Sequence, residues 1–342
     1  MKIFVHGGMH KTATKSLQWL LYQKRALLIE RGIFYPDIGA LHHHSLLSTK
    51  RKGWSPQLCT NEIRNAEAAG AHSLILSAEG VSILSAGQFR QLSSTFRGHD
   101  LTYIFCLRHW ASYMPSRWSQ YCRRRDTQTF ADYVAAASNP ALRHVDLHFD
   151  DVLGNAITSA ECGLKVVSYN NALATDGVLA ALLRAFDFDD SLVSALNDEE
   201  TWTNTRDAWR TVEISRLLNG ALASRRGLRQ NELFRAVGER RTCSEFFDLS
   251  SRFAMVDAQL MSDLGDMLED RAEVIRFPGA VGSDVESSLN SKYLRNVTNP
   301  IDGKLFATTG WSEVTATNIT WEEFEGKAQT IMDRALSEIG LS

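Results

Sequence analysis

The sequence predicts an α/β fold, a parallel sheet flanked by helices with an added helical part toward the C-terminus. Three observations predict it. Four short runs, IFVHGG (3–8), SLILSAE (73–79), LTYIFCL (101–107) and LKVVSY (164–169), begin or continue as unbroken apolar stretches, the pattern of strands covered on both faces. Segments with apolar residues at helical spacing lie between them. From about Asp187 to Asp270 the helical period takes over alone.

Taken in order, the first run ends in two glycines and leads into TKSLQWLLYQKRALLIERG, a helical pattern that Gly32 can stop. One helix fits between the second and third strands. Leu107 hands over to an Arg-bearing helix, and DGVLAALLRAF (176–186) is a further amphipathic helix after the fourth strand. AWRTVEISRLLNGAL and FAMVDAQLMSDLGDMLED are the clearest helical segments beyond. After IRFPGAVGSD and a polar Ser/Asn stretch, WEEFEGKAQTIMDRALSEIG reads as a last helix packing back on the core. The expected division is an α/β core over 1–190 and a helical subdomain with a C-terminal segment over 191–342.

Composition narrows the function. The 342 residues are 44% hydrophobic and 23% charged with a net charge of −3, which is ordinary for a globular protein and offers no overall basic excess for nucleic acid. No apolar run reaches the 18–20 residues, roughly, of a membrane span, and MKIFVHGG lacks a secretory h-region, so a cytoplasmic protein without a membrane span is expected. The 5 cysteines are scattered, without a C-x-x-C pair, and read as reduced thiols. Asn296 and Asn318 head glycosylation tripeptides that read as chance without a secretory signal.

Charge is unevenly placed. Residues 1–52 carry nine Lys/Arg against Glu30 and Asp37, and Arg108 to Arg125 contains five arginines and no acid. Two basic regions imply an anionic ligand. The segment HGGMHKTATKSLQ (6–18) puts glycines, Lys11 and Thr12 between a strand and a helix start, where backbone N–H groups and the helix dipole favour an anion. It is not the ATPase loop, because His10 stands where the glycine before the lysine is required. Leu107-Arg108 ends the third strand where many such ATPases place an Mg²⁺-holding Asp, so no metal is expected.

These features resemble the sulfotransferases, of the bacterial P-loop-type kind, that use 3′-phosphoadenosine 5′-phosphosulfate (PAPS). Lys11-Thr12-Ala13-Thr14 is similar to their 5′-phosphosulfate loop, and Arg108 with Ser116 eight positions on is similar to their 3′-phosphate site. The resemblance implies a P-loop-type sheet, Lys11 and Glu79 as catalytic residues, and Glu79, at the end of LSAE, as the base. PAPS would be held by Gly8, His10, Lys11, Thr12, Ala13, Thr14, Lys15, Ser16, Arg108, Ser116 and Tyr169, the last placed near the adenine. The acceptor would be the hydroxyl or amine of a small molecule, carbohydrate or lipid, with His42, His43 and His44 lining its pocket. Adjacent histidines do not share a helix face, and a metal is not expected there. Alanine at 13 and lysine at 15 depart from the family's usual glycine and small hydroxyl residue. The Arg-Lys-Gly phosphate loop of the cytosolic members has no counterpart, and Arg295, Lys304 and Arg276 are the candidate substitutes. Two other readings remain open: a P-loop kinase-like nucleotide enzyme, and a non-catalytic nucleotide- or anion-binding protein of the same fold. The acceptor's identity and the oligomeric state are not legible in the sequence.

Overall fold

A computed structural model describes residues 1–139, 141, 144–158, 162–197, 209–229, 258–277, 283–307, 312–324, 329, 333–334 and 337. The first half runs β1 (Lys2–His6), α1 (Thr14–Gln23), α2 (Arg25–Glu30), β2 (Ile33–Phe34), α3 (His44–Leu47), α4 (Pro56–Ala68), β3 (Ser73–Ser77), α5 (Ala86–Thr95) and β4 (Asp100–Leu107). It continues through α6 (Trp110–Arg124), α7 (Phe130–Ala137), α8 (Phe149–Ala156), β5 (Cys162–Ser168), α9 (Tyr169–Leu173), α10 (Val178–Ala185) and α11 (Asp190–Asn197). Then come α12 (Trp209–Arg226), α13 (Ala258–Glu269), β6 (Glu273–Phe277), α14 (Ser283–Tyr293) and β7 (Ser312–Ala316). None of the described helices is long and apolar enough to cross a membrane.

Among the described residues β1 to β5 form a parallel sheet in the order β2-β3-β1-β4-β5. The expected strands are present, and the short edge strand β2, only 2 residues long, is an addition too brief to leave a periodic signal. The single helix expected over 14–32 is two helices meeting at Lys24, which ends one and starts the other at φ −95. Gly32, at φ +70, then turns the chain into β2, a left-handed conformation that costs glycine nothing.

Both faces of the sheet are covered, which is why its strands carry no polar alternation. Phe4, Ile75, Ile104, Cys106 and Val167 meet Leu17, Leu21 and Leu28 of α1 and α2 and Leu182 and Leu183 of α10. On the opposite face Phe89 of α5 stands edge-on to Tyr103 at 5.3 Å. Each large apolar side chain so buried contributes roughly 1.5–3 kcal/mol. A Ser85/Gln88 capping box starts α5 and sets the entry of that helix.

The chain divides into two compact units. One unit is Met1–Trp110, Val145–Thr203 and Ala280–Thr309; the other is Ala111–His144, Asn204–Gly279 and Gly310–Ser342. The first holds the parallel sheet. A strap from its last segment covers the β5 edge: Val297 bridges Val166 in parallel, Thr298 N donates to Val166 O at 2.9 Å, and Asn299 pairs with Ser168 in both directions at 2.8 and 2.9 Å.

The second unit is not wholly helical, since β6 and β7 pair antiparallel in it. Its core sets Ile214, Leu217, Leu218 and Leu222 of α12 against Leu264 and Leu268 of α13, with Ile319 and Phe324. Glu213 and Arg216 lie fully buried in an ion pair at 2.6 Å, and Arg216 also donates to Ile319 O at 2.8 Å. Of the last helix expected over 321–340, residues 321–324 are helical and most of the rest lies outside the described residues, as do residues 253–257 of the second helical segment.

Candidate active site

The strand order places β1 between β3 and β4, so its C-terminal end opens where the chain connections diverge to the two sides, the place where open α/β sheets bind ligands. The loop 7–13 extends the pairing of β1 with β4: Gly7 N donates to Ile104 O at 2.9 Å and Met9 N to Cys106 O at 3.1 Å. Gly7 is there because of close approach, since a Cβ on it would lie 2.4 Å from the Phe105 ring. Gly8 sits at φ +90, and a Cβ there would reach 3.4 Å from Glu79 Cα. Gly7 thus lets the loop lie against Phe105, and Gly8 takes the positive-φ turn that carries it past Glu79.

Three of the expected loop residues shape the loop itself. Thr12 and Thr14 are buried and both donate their hydroxyl hydrogens to Met9 O, at 2.7 and 3.2 Å. Both hydroxyls thus tie the loop to its own backbone at Met9. Ala13 is not helical: it is the N-cap of α1 at φ 62, ψ 15, the left-handed region that glycine favours. Ala13 offers no side-chain cap to α1 and its first turn has no acid, so the positive end of the helix dipole meets the loop there.

Lys11, at φ 61, follows His10 at the tip of the loop, and its carbonyl accepts a 3.2 Å bond from Arg108 Nη1. The Arg108 guanidinium in turn lies over the Tyr169 ring, 4.8 Å from its centroid. The fold therefore brings Lys11, Arg108 and Tyr169 together from three separate stretches of chain. Tyr169 starts α9 and does not end β5, because Ser168 takes the N-cap and its hydroxyl accepts from Asn171 N. Lys15 and Ser16 lie in the first turn of α1, both partly buried.

Glu79 likewise lies past its strand. β3 ends at Ser77, and Glu79 opens a 3₁₀ turn over Glu79–Ile83. Its Oε2 is 2.7 Å from His10 Nδ1, and both side chains are partly exposed, at 28% and 23%. His44 packs over Gly80, where an added Cβ would meet its ring at 2.6 Å, and His42 stands edge-on to His44 at 4.7 Å between centroids. Burial holds the His44 imidazole below its ordinary range, with His42 adding to the effect and Glu79 opposing it. Among the described residues no group of three or more His, Cys, Asp or Glu is arranged to hold a metal ion.

His43, expected beside the acceptor, is turned into the interior. It is fully buried, with Nδ1 accepting from Ser77 N at 3.0 Å and Nε2 donating to Pro36 O at 3.2 Å. Both nitrogens serve the backbone, and burial pushes its pKa down to about 4. Ser77 gathers two more buried polar side chains. His6 Nδ1 is 2.9 Å from its Oγ, and Gln18 Nε2 donates to the same oxygen at 3.0 Å. His6, Gln18 and Ser77 escaped the sequence reading, although a polar residue inside an apolar strand or on an apolar helix face is the signal that finds such networks.

Ser116 lies on α6, in the second unit, as does Arg276, which is exposed on β6 beside Glu313 at 3.4 Å. Arg295 and Lys304 lie in the strap of the first unit, where the Lys304 carbonyl accepts from Asn171 Nδ2 at 3.1 Å. The site described here is confined to the first unit. Comparison with models of known families, with curated proteins and with solved structures finds no match.

Proposed function

We propose that the protein is a sulfotransferase that moves the sulfuryl group of PAPS to a hydroxyl or amine acceptor, on a sheet of the P-loop type. The observation that carries this reading is the placement, at one end of β1, of the lysine loop tied to Arg108 beside the His10–Glu79 pair. An anionic donor and an acid–base group would meet there. The loop N–H groups, the α1 dipole, Lys11 and Lys15 would hold the 5′-phosphosulfate, with Gly8 letting the backbone approach. Arg108, steadied by Tyr169, would take the 3′-phosphate.

In the reaction the acceptor oxygen or nitrogen forms a bond to sulfur as the bond from sulfur to the phosphate oxygen breaks. Adenosine 3′,5′-bisphosphate leaves with the electron pair, and the acceptor's proton passes to the His10–Glu79 pair. Lys11 would neutralise the departing oxygen, and preorganised charge of this kind is the largest catalytic term in many enzymes.

Calorimetric titration tests the reading with three nucleotides: adenosine 3′,5′-bisphosphate, adenosine 5′-phosphate and ATP with Mg²⁺. The bisphosphate should bind tightest. A hydrogen bond to a charged phosphate contributes roughly 1.5–3 kcal/mol, so Arg108→Ala should weaken bisphosphate binding about 10–150-fold and leave the 5′-monophosphate nearly unchanged. Preference for ATP with Mg²⁺ would favour a kinase-like enzyme instead. Bisphosphate binding with no release of bisphosphate from PAPS would mark a non-catalytic binding protein.

A further inference from the structure

We infer that His10 takes the acceptor's proton and that Glu79 is the carboxylate that positions it, an assignment that rests on the sulfuryl-transfer reading. The geometry is a hydrogen bond of 2.7 Å between His10 Nδ1 and Glu79 Oε2. A carboxylate only accepts, so the hydrogen in that bond belongs to Nδ1 and the lone pair of the neutral ring sits on Nε2. The pairing chooses the tautomer, as a carboxylate does for any imidazole base.

Position supports the same division of labour. His10 precedes Lys11 on the loop, so its ring belongs to the segment that would surround the transferring group, whereas Glu79 stands behind it on the 3₁₀ turn after β3. Gly8, at φ +90, makes the turn that lays the loop against this segment, and a Cβ placed on it would stand 3.4 Å from Glu79 Cα. The neighbouring histidines have other work or other partners. His43 is spent on Ser77 and Pro36, and His44 rests on Gly80 with His42 against it. Imidazole also suits the task by its chemistry, because its ordinary titration lies nearest neutrality and base catalysis is most effective there.

The proton balance is complete. The acceptor O–H or N–H hydrogen moves to His10 Nε2 as the acceptor's bond to sulfur forms, Glu79 stabilises the resulting imidazolium, and water removes the proton after adenosine 3′,5′-bisphosphate has left. Glu79 is then a positioning residue for His10 and a full negative charge opposite it.

The test uses the full chain, with water as the acceptor and release of bisphosphate from PAPS as the readout. His10→Ala should lower release about 10²–10⁴-fold, the usual contribution of a positioned proton acceptor, and added imidazole should restore much of it. His10→Gln, which preserves bulk, should show the same loss. Glu79→Ala should also lose activity but gain nothing from imidazole, and ¹⁵N spectra of its His10 should lose the Nδ1–H form seen in the parent. Unchanged release by both His10 variants overturns the assignment. So does rescue of Glu79→Ala by formate with no rescue of His10→Ala by imidazole, which would make Glu79 the base. Two other outcomes refute sulfuryl transfer itself, and the assignment with it: a parent protein that does not bind the bisphosphate, and one that binds it yet releases none from PAPS above background. Where the parent binds and turns over PAPS and His10→Ala binds the bisphosphate equally, the rates judge His10 alone.

Discussion

Single residues decide how closely the loop approaches its neighbours. Gly7 admits no side chain, because a Cβ would stand 2.4 Å from Cε1 of Phe105, a ring that is itself fully buried. Neither partner can move away easily in a close-packed interior. Gly7→Ala should therefore destabilise the protein by about 1–3 kcal/mol, the usual cost of overpacking. Urea midpoints measure it, and pairing the change with Phe105→Leu should recover part of the loss, since residues in contact are not additive. Equal midpoints for Gly7→Ala and the parent would mean that the ring yields freely. Ala13 makes the opposite case. Its Cβ sits at φ 62, where an L side chain costs about 1–2 kcal/mol and glycine pays no such penalty.

At the scale of elements, the end of β3 is a polar joint inside an apolar sheet. His6 from β1, Gln18 from α1 and His43 ahead of α3 all converge on Ser77. Burial is the chief cause that lowers His6 and His43 to about 4, while an unfolded chain would protonate both near 6.5. Between those values the unfolded state binds more protons than the folded one, so stability must fall as pH drops from about 6.5 and level off below about 4. Each histidine contributes roughly 3 kcal/mol to that loss, at 1.36 kcal/mol per unit. His43→Asn or His6→Gln should flatten the slope of stability against pH over this window, read from urea titrations at several pH values. A slope identical to the parent's would show that these imidazoles bind protons alike in the folded and unfolded states, and the buried-joint account would fall.

Across the whole molecule the chain returns to its sheet late. The strap at Ala280–Thr309 belongs with the first unit, covers the β5 edge through Val297, Thr298 and Asn299, and sets Phe306 5.8 Å from Trp110. An open sheet edge is an invitation to wrong pairing, and the strap removes it. A fragment ending at 190 should for that reason lack a cooperative thermal transition and show poor amide dispersion by NMR, whereas the full chain melts cooperatively. A fragment that unfolds cooperatively within a few degrees of the full chain would make the strap dispensable.

What could be read from the sequence alone was the α/β class, the four long strands of the sheet and the lysine loop between β1 and α1. Each of these is written in local periodicity or in adjacent residues, so a single pass along the chain reveals it. Only the tertiary structure decided the rest. It set Arg108 on the Lys11 carbonyl across 97 residues, paired His10 with Glu79 across 69, withdrew Thr12, Thr14 and His43 into backbone bonds, and drew a distant strap onto the first unit. The division has a physical cause: spacing along the chain reports which face of an element is apolar, whereas a hydrogen bond between distant residues depends on how strands are ordered and where loops end, and neither leaves a periodic trace.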